Sequence, residues 1–214
     1  TDAPQGSLSV ADEPHNLEEF PPRGMTGYKN YFEGHGEFCA SASSENSTAR
    51  VAWKAFDKLF DVSDGDATWS TASGSNYNGT DNTYNPAVDT PPLHLGTGAV
   101  YGEWIKLELP YNINLKSMNL YSRAPNDLGR IPEDFKVYGS NDNSNWTELI
   151  SVTGRTTVFE TIHNVHTDSM YKYFGLVVTK ISGQNNYFRI LELRYFGTRE
   201  QGQSVLHDLS LIHI

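Results

Sequence analysis

Cysteine is nearly missing from these 214 residues. Cys39 stands alone, so no intrachain disulfide can form, and stability must come from a core that a chain of this length can supply. Cys39 itself reads as a buried free thiol, because unpaired cysteine packs as a small hydrophobe. Long apolar runs are absent too; nothing approaches the roughly 20 consecutive apolar residues of a membrane-spanning helix. Basic residues are few, 16 Lys+Arg against 26 Asp+Glu, for a net charge of -10. That sign opposes phosphate, which makes nucleic acid and anionic membrane poor partners. Catalytic signatures are missing as well: no Gly-x-Ser-x-Gly elbow, no His-Glu-x-x-His and no glycine-rich phosphate loop. His163 and His166 form a His-x-x-His without further ligands at metal spacing, which chance explains, and Glu160 with Asp168 are two acids in an acid-rich chain. The expectation is a protein that binds rather than catalyses.

Rings and turn formers are plentiful, with 12 Tyr, 10 Phe, 4 Trp, 18 Gly and 10 Pro. Residues 1 to 34 are rich in proline, glycine and acid without periodicity and read as a linker or N-terminal extension. One short helix is expected between Ala49 and Phe60, where Val51, Ala52, Ala55, Phe56 and Leu59 recur at helical spacing. Strands follow. Ile105, Leu107 and Leu109 alternate, Pro110-Tyr111-Asn112 is read as a turn, and Met118 and Leu120 point inward from the next strand. Further strands are expected at 134–139, 156–162 (with Val158 and Ile162, or their neighbours, inward), 171–179 as the central one, and 188–196. This pattern predicts an all-β, two-sheet sandwich. A long loop, 70–102, carries Tyr77, Tyr84 and His94, which offer stacking and hydrogen bonding or are solvated decoration. The chain opens on Thr1 and reads as a piece of something longer. Residues 201–214 look like the start of a following segment, and 209–214 match the translation of a transposon-end sequencing adapter. Three Asn-x-Ser/Thr sequons, at Asn46, Asn78 and Asn145, suit a secreted protein but arise easily by chance.

Three stretches carry a resemblance. Ala55-Phe56-Asp57 with Thr68-Trp69 and Gly102 to Pro110 resembles the opening of coagulation factor 5/8 type C (discoidin) domains. Ile131 to Asp142 with Trp146 is similar to their middle signature, and Leu191 to Gly197 to their end. The resemblance covers about residues 35 to 200 and implies a galactose-binding-like jelly-roll β-sandwich with one short helix, non-catalytic, binding ligands with loops at one end. Carbohydrate-binding module family 32 is the nearest comparison in character. Trp69, Trp104 and Trp146 match buried family positions, and Trp53 on the helix reads as core.

The resemblance further implies a structural Ca2+, with Asp57 and Glu192 matching by position; Ala67 stands where the family usually has Thr, and Asp66 in the inserted acidic run 61–66, with Thr68, supplies replacement ligands, or the run is only a solvated turn. Hard oxygen ligands from distant segments are what Ca2+ takes. Sugar hydroxyls need bidentate donors and acceptors, and sugar faces need rings. Arg123, Asn126, Asp127 and Arg130 supply the first in one loop, Arg130 being alternatively a structural partner of a carboxylate. Asn185, Asn186 and Tyr187 lie in the last turn, which is either a ligand contact or only a turn. The partners expected are a glycan, neutral rather than acidic because like charges repel, or a neighbouring protein domain. The setting expected is extracellular, on a cell or virion surface, as an adhesion module or the appendage of a glycoside hydrolase.

Overall fold

The computed structural model describes residues 17–199 apart from 75, 88–92, 96–97, 124, 156–158 and 184–185, with 93–95 and 98 described by backbone alone. The strands are β1 (Glu18–Phe20), β2 (Lys29–Phe32), β3 (Gly36–Ala42), β4 (Trp69–Ser70), β5 (Leu93–Leu95), β6 (Gly98–Val100), β7 (Glu103–Tyr121), β8 (Pro132–Ser140), β9 (Thr147–Val152), β10 (Glu160–Asn164), β11 (Tyr171–Ile181), β12 (Arg189–Ile190) and β13 (Glu192–Arg199). Single-turn 3-10 helices, Ala52–Phe56 and Leu128–Arg130, punctuate them. The architecture is the expected all-β sandwich.

β7 organises it. Its first half pairs with β3 on one side and β11 on the other, and β11 continues through β8 to β9. Its second half pairs with β13 and β10, and β13 carries β1. One 19-residue strand thus serves both layers, and the turn expected at Pro110-Tyr111-Asn112 does not exist. The reason is local. Between the pairs Glu108–Tyr173 and Ile113–Tyr171 the β11 ladder skips, so Pro110 sits where a missing N–H costs little and the strand can bend.

Alternation along β7 buries Ile105, Leu107, Leu109, Ile113, Leu115, Met118 and Leu120 against Phe38, Phe135, Phe174 and Tyr195. Rings meet edge-on through this core, Trp69 on Phe188 at 5.3 Å and Phe32 on Phe38 at 5.6 Å between centroids. A smaller cluster of Tyr138, Trp146 and Val177, flanked by half-buried Trp104, covers the opposite face of β8 and β11. Trp69 and Trp146 are buried as expected, whereas Trp53 only leans on the core.

Other expectations meet the structure as follows. Residues 18–34 are not a linker throughout: β1 pairs with β13 through Glu18–Gly197 to Phe20–Tyr195, and Phe20 is fully buried. The helix stops at Phe56, because Lys58 turns into the left-handed region (φ 62°), and this leaves Leu59 exposed. On β10 it is the neighbours Thr161 and His163 that turn inward, and Ile162 faces solvent. Cys39 is half-buried on β3, its thiol donating to Glu37 Oε1 at 3.6 Å; burial first, then the Glu37 charge, pushes its pKa up.

Candidate functional site

The loop between β7 and β8 is gathered on one carboxylate. Asp127, almost fully buried, accepts from Arg123 Nη1 at 2.8 Å, Arg130 Nη1 at 2.7 Å and Arg189 Nη1 at 2.7 Å. Burial pushes Asp127 up, but the hydrogen bonds from Arg123 and Arg130 outweigh it and hold the carboxyl below its ordinary range. Tyr187 lies against two of these arginines, its ring centroid 4.5 Å from Arg130 and 5.6 Å from Arg189. Arg130 is thus engaged with a carboxylate through one guanidinium nitrogen. Arg189 was missed. Its signal was available, a charged residue alternating with apolar Phe188 and Ile190 in a strand, which calls for a buried acid to meet it.

The acidic stretch 61–66 folds onto the same end. Arg123 Nη2 donates to Ser63 O at 3.0 Å, and Asn126 Nδ2 to Val62 O at 2.8 Å. Arg50, also missed, donates to Gly65 O at 3.2 Å and pairs with Asp66 at 2.9 Å. A Cβ placed on Gly65 would come within 3.3 Å of Arg189, 3.7 Å of Arg50 and 3.8 Å of Arg123, so this carbonyl-rich turn threads between three guanidiniums. Close backbone approach recurs behind it: a Cβ on Gly183 would lie 2.5 Å from Gly129 Cα, so only glycine lets those two turns touch. Four arginines (50, 123, 130, 189) and four aspartates (61, 64, 66, 127) lie in these turns, so their charges balance; Asp66 and Asp127 pair with the arginines, while Asp61 and Asp64 accept from Ser63 and from backbone N–H groups of their own turn. Asn126 and Asn186 present exposed amides beside it, and the Nε atoms of Arg123, Arg130 and Arg189 are buried without a hydrogen-bond partner.

Other expected ligand residues fall elsewhere. Tyr77 and Tyr84 are core, not platforms: Tyr77 donates to Val178 O at 3.0 Å, and the two rings pack edge-on at 5.8 Å. The reason is that their loop is stitched to the sheet by Tyr84 N on Thr179 O and by an isolated bridge between Thr83 and Lys180. His94 lies in β5, with its side chain outside the described residues, as is Asn185 altogether.

Of the four expected calcium ligands, two meet. Asp57 and Glu192 are both buried, and the turn after the helix lays Leu59 N on Asp57 Oδ1 (2.9 Å) and Lys58 N on Glu192 Oε2 (3.0 Å). Burial raises Asp57 to about 6; burial and then the Asp57 charge raise Glu192 to about 10. Asp57 Oδ2 is buried with no partner. Two adjoining buried carboxylates with an orphaned oxygen suit a hard cation. Among the described residues no three His, Cys, Asp or Glu side chains gather, so carbonyl oxygens would have to complete the shell. Asp66 is instead held by Arg50, and Thr68 donates to Gly65 O at 2.9 Å. The N-terminal segment closes over the pair: Met25 N bonds Phe56 O, and a Cβ on Gly24 would strike Asp57 O at 2.1 Å.

No family model matches the chain, and no curated protein does. Solved structures share its fold. The family 32 carbohydrate-binding module of Clostridium perfringens NanJ, in complex with galactose, is 15% identical with a TM-score of 0.52, over 74% of this chain and 93% of that one. CBM32-3, from a family 31 glycoside hydrolase of the same organism, is 20% identical at 0.53, over 80% and 96%. The module CpGH89CBM32-5, also from Clostridium perfringens and in complex with GalNAc-β-1,3-galactose, is 17% identical at 0.52, over 74% and 94%.

Proposed function

We propose that this chain is a non-catalytic carbohydrate-binding module of a larger secreted or surface protein, taking a neutral glycan at the arginine-rich loop end. The observation that carries the reading is the convergence of Arg123, Arg130, Arg189 and Tyr187 on Asp127, with the exposed amides of Asn126 and Asn186 beside them. Fixed guanidinium and amide donors suit vicinal hydroxyls, and donors held by a buried acid lose little entropy on binding. The balance of four arginines and four aspartates leaves no surplus charge to recruit an acidic sugar. Galactose and GalNAc-β-1,3-galactose, the ligands of two structural neighbours, support this class. Asp57 and Glu192 would hold a structural Ca2+ that ties the helix turn to β13; the ion supplies charge compensation and takes no part in chemistry.

A glycan array probed with the protein, with calcium and again with EDTA, tests the reading. Binding to a terminal neutral sugar that Arg123→Ala abolishes and Asn126→Ala weakens is the expected result. A folded protein that binds no glycan, or only sulfated ones, refutes it. A second reading, contact with a neighbouring protein domain, draws support from exposed Leu59, Phe60 and Phe159, the two phenylalanines packed edge-on around Tyr121 at 4.8 and 5.5 Å.

A further inference from the structure

A separate cleft of about 380 Å³ is lined by Tyr28, Glu45, Ser47, Thr48, Val51 and Trp53. That volume falls within the roughly 300–1,000 Å³ of small-ligand sites. Its parts come from three places: Tyr28 from the segment before β2, the polar residues from the turn after β3, and Trp53 from the 3-10 helix. None of them belongs to the Asp127 cluster.

The cleft is held in shape by a hydrogen-bond chain. Tyr28 Oη donates to Glu45 Oε2 at 2.6 Å, while Ala52 N donates to Glu45 Oε1 at 2.7 Å, so one carboxylate fixes both the tyrosine and the start of the helix. Burial, followed by the bond to Glu45, pushes the Tyr28 phenol up to about 12, so it stays a donor at any physiological pH. Tyr28 is nonetheless 46% exposed, and Ser47 and Thr48 are exposed beside it. Lys54 Nζ lies 5.5 Å from the Trp53 ring centroid. Two amphipathic rings, Tyr28 exposed and Trp53 half-buried, beside hydroxyls and a carboxylate whose oxygens each retain a lone pair, match a ligand with C–H faces and vicinal hydroxyls. The Glu45 charge disfavours an acidic one.

We infer that this cleft is a second glycan subsite, one that takes a neutral pyranose residue on Tyr28 and Trp53 and bonds its hydroxyls through Glu45, Ser47 and Thr48. It does not depend on the loop-end site proposed above, and two subsites on one module would raise avidity for a branched or repeating glycan.

Amide and indole NMR spectra of the labelled protein, titrated separately with galactose, N-acetylgalactosamine, N-acetylglucosamine and glucose, provide the test. At least one sugar should shift the Trp53 indole N–H and the Thr48 amide saturably, and should do so equally in Arg123→Ala. Tyr28→Ala, a surface change, should weaken those shifts about tenfold or more, as truncation of a binding hot spot does, with an unchanged Trp69 indole signal showing that the core is intact. Trp53→Ala should weaken binding similarly, measured on Thr48. Shifts confined to Asn126 and Asn186 would overturn the second subsite and leave the first. Shifts at Trp53 without any at Asn126 would do the reverse. Undiminished binding by folded Tyr28→Ala and Trp53→Ala, or no response at Trp53 to any of the four sugars, also overturns it.

Discussion

Removing the Asp127 carboxylate should unfold this protein at a markedly lower temperature. The side chains of Asp127 and Arg189 are each 7% exposed and Arg123 is 13% exposed, so truncation would strand two cations largely away from water. Breaking a buried ion pair from one side costs about 3–5 kcal/mol. The Arg130 pair, more open to solvent at 29%, adds little. A chain of this size loses about 2–4 °C per kcal/mol, so Asp127→Ala should lower the Tm by about 6–20 °C at pH 7. Asp127→Asn, which keeps the shape and one acceptor, should lose less. The sign with pH follows from the depressed carboxyl: its contribution is present above the unfolded value near 3.9 and is lost as pH falls through the folded one. Differential scanning calorimetry of wild type and both variants at pH 7, and again towards pH 2, reads this directly. A Tm within about 2 °C of wild type for Asp127→Ala, or a deficit that does not shrink in acid, would refute the idea that this carboxylate organises the loop end.

Without calcium, the Asp57–Glu192 pair should make the protein less stable as pH rises, because raised pKa values mean that stability present below 3.8 for Asp57 and 4.5 for Glu192 is lost on passing through about 6 and about 10. Thermal melts at pH 8 should therefore rise on adding Ca2+ and fall back with EDTA, while Glu192→Gln should melt higher than calcium-free wild type and ignore the ion; no calcium response in wild type would exclude the site. Tyr77→Phe should cost about 1 kcal/mol in urea unfolding through its lost bond to Val178 O and leave glycan binding as it was, whereas a loss of binding by a folded variant would return Tyr77 to the ligand site.

Much of the fold was legible because burial in a sheet writes a period of two. Ile105, Leu107 and Leu109, then Met118 and Leu120, show their inward face in the sequence, and the apolar run 171–179 marks the strand that lies between two others. Pro110 misled because a proline reads as a turn unless the neighbouring strand is known to skip there. The N-terminal strand was hidden for a related reason: Glu18-Glu19-Phe20 is too short for periodicity, and its partner is about 175 residues away. Part of the site was legible too. Arg123, Asn126, Asp127 and Arg130 share one loop, so their proximity needs no fold; Tyr77 and Tyr84 looked like loop residues because nothing local shows that β11 takes up the Tyr84 backbone and the Tyr77 hydroxyl.

By itself the sequence determined the fold class, the absence of an intrachain disulfide and of any apolar run long enough for a membrane-spanning helix, and the identity of the loop whose polar groups cluster, since each of these follows from composition, period or adjacency. Only the tertiary structure decided that Arg189 joins that loop and Arg50 the 61–66 turn beside it, that Asp57 and Glu192 meet while Asp66 and Thr68 go elsewhere, and that Tyr28 and Trp53 frame a second cleft. Those contacts join segments from about 15 to more than 130 residues apart. What brings them together is the packing of two sheets that share one bent strand, and no local pattern records it.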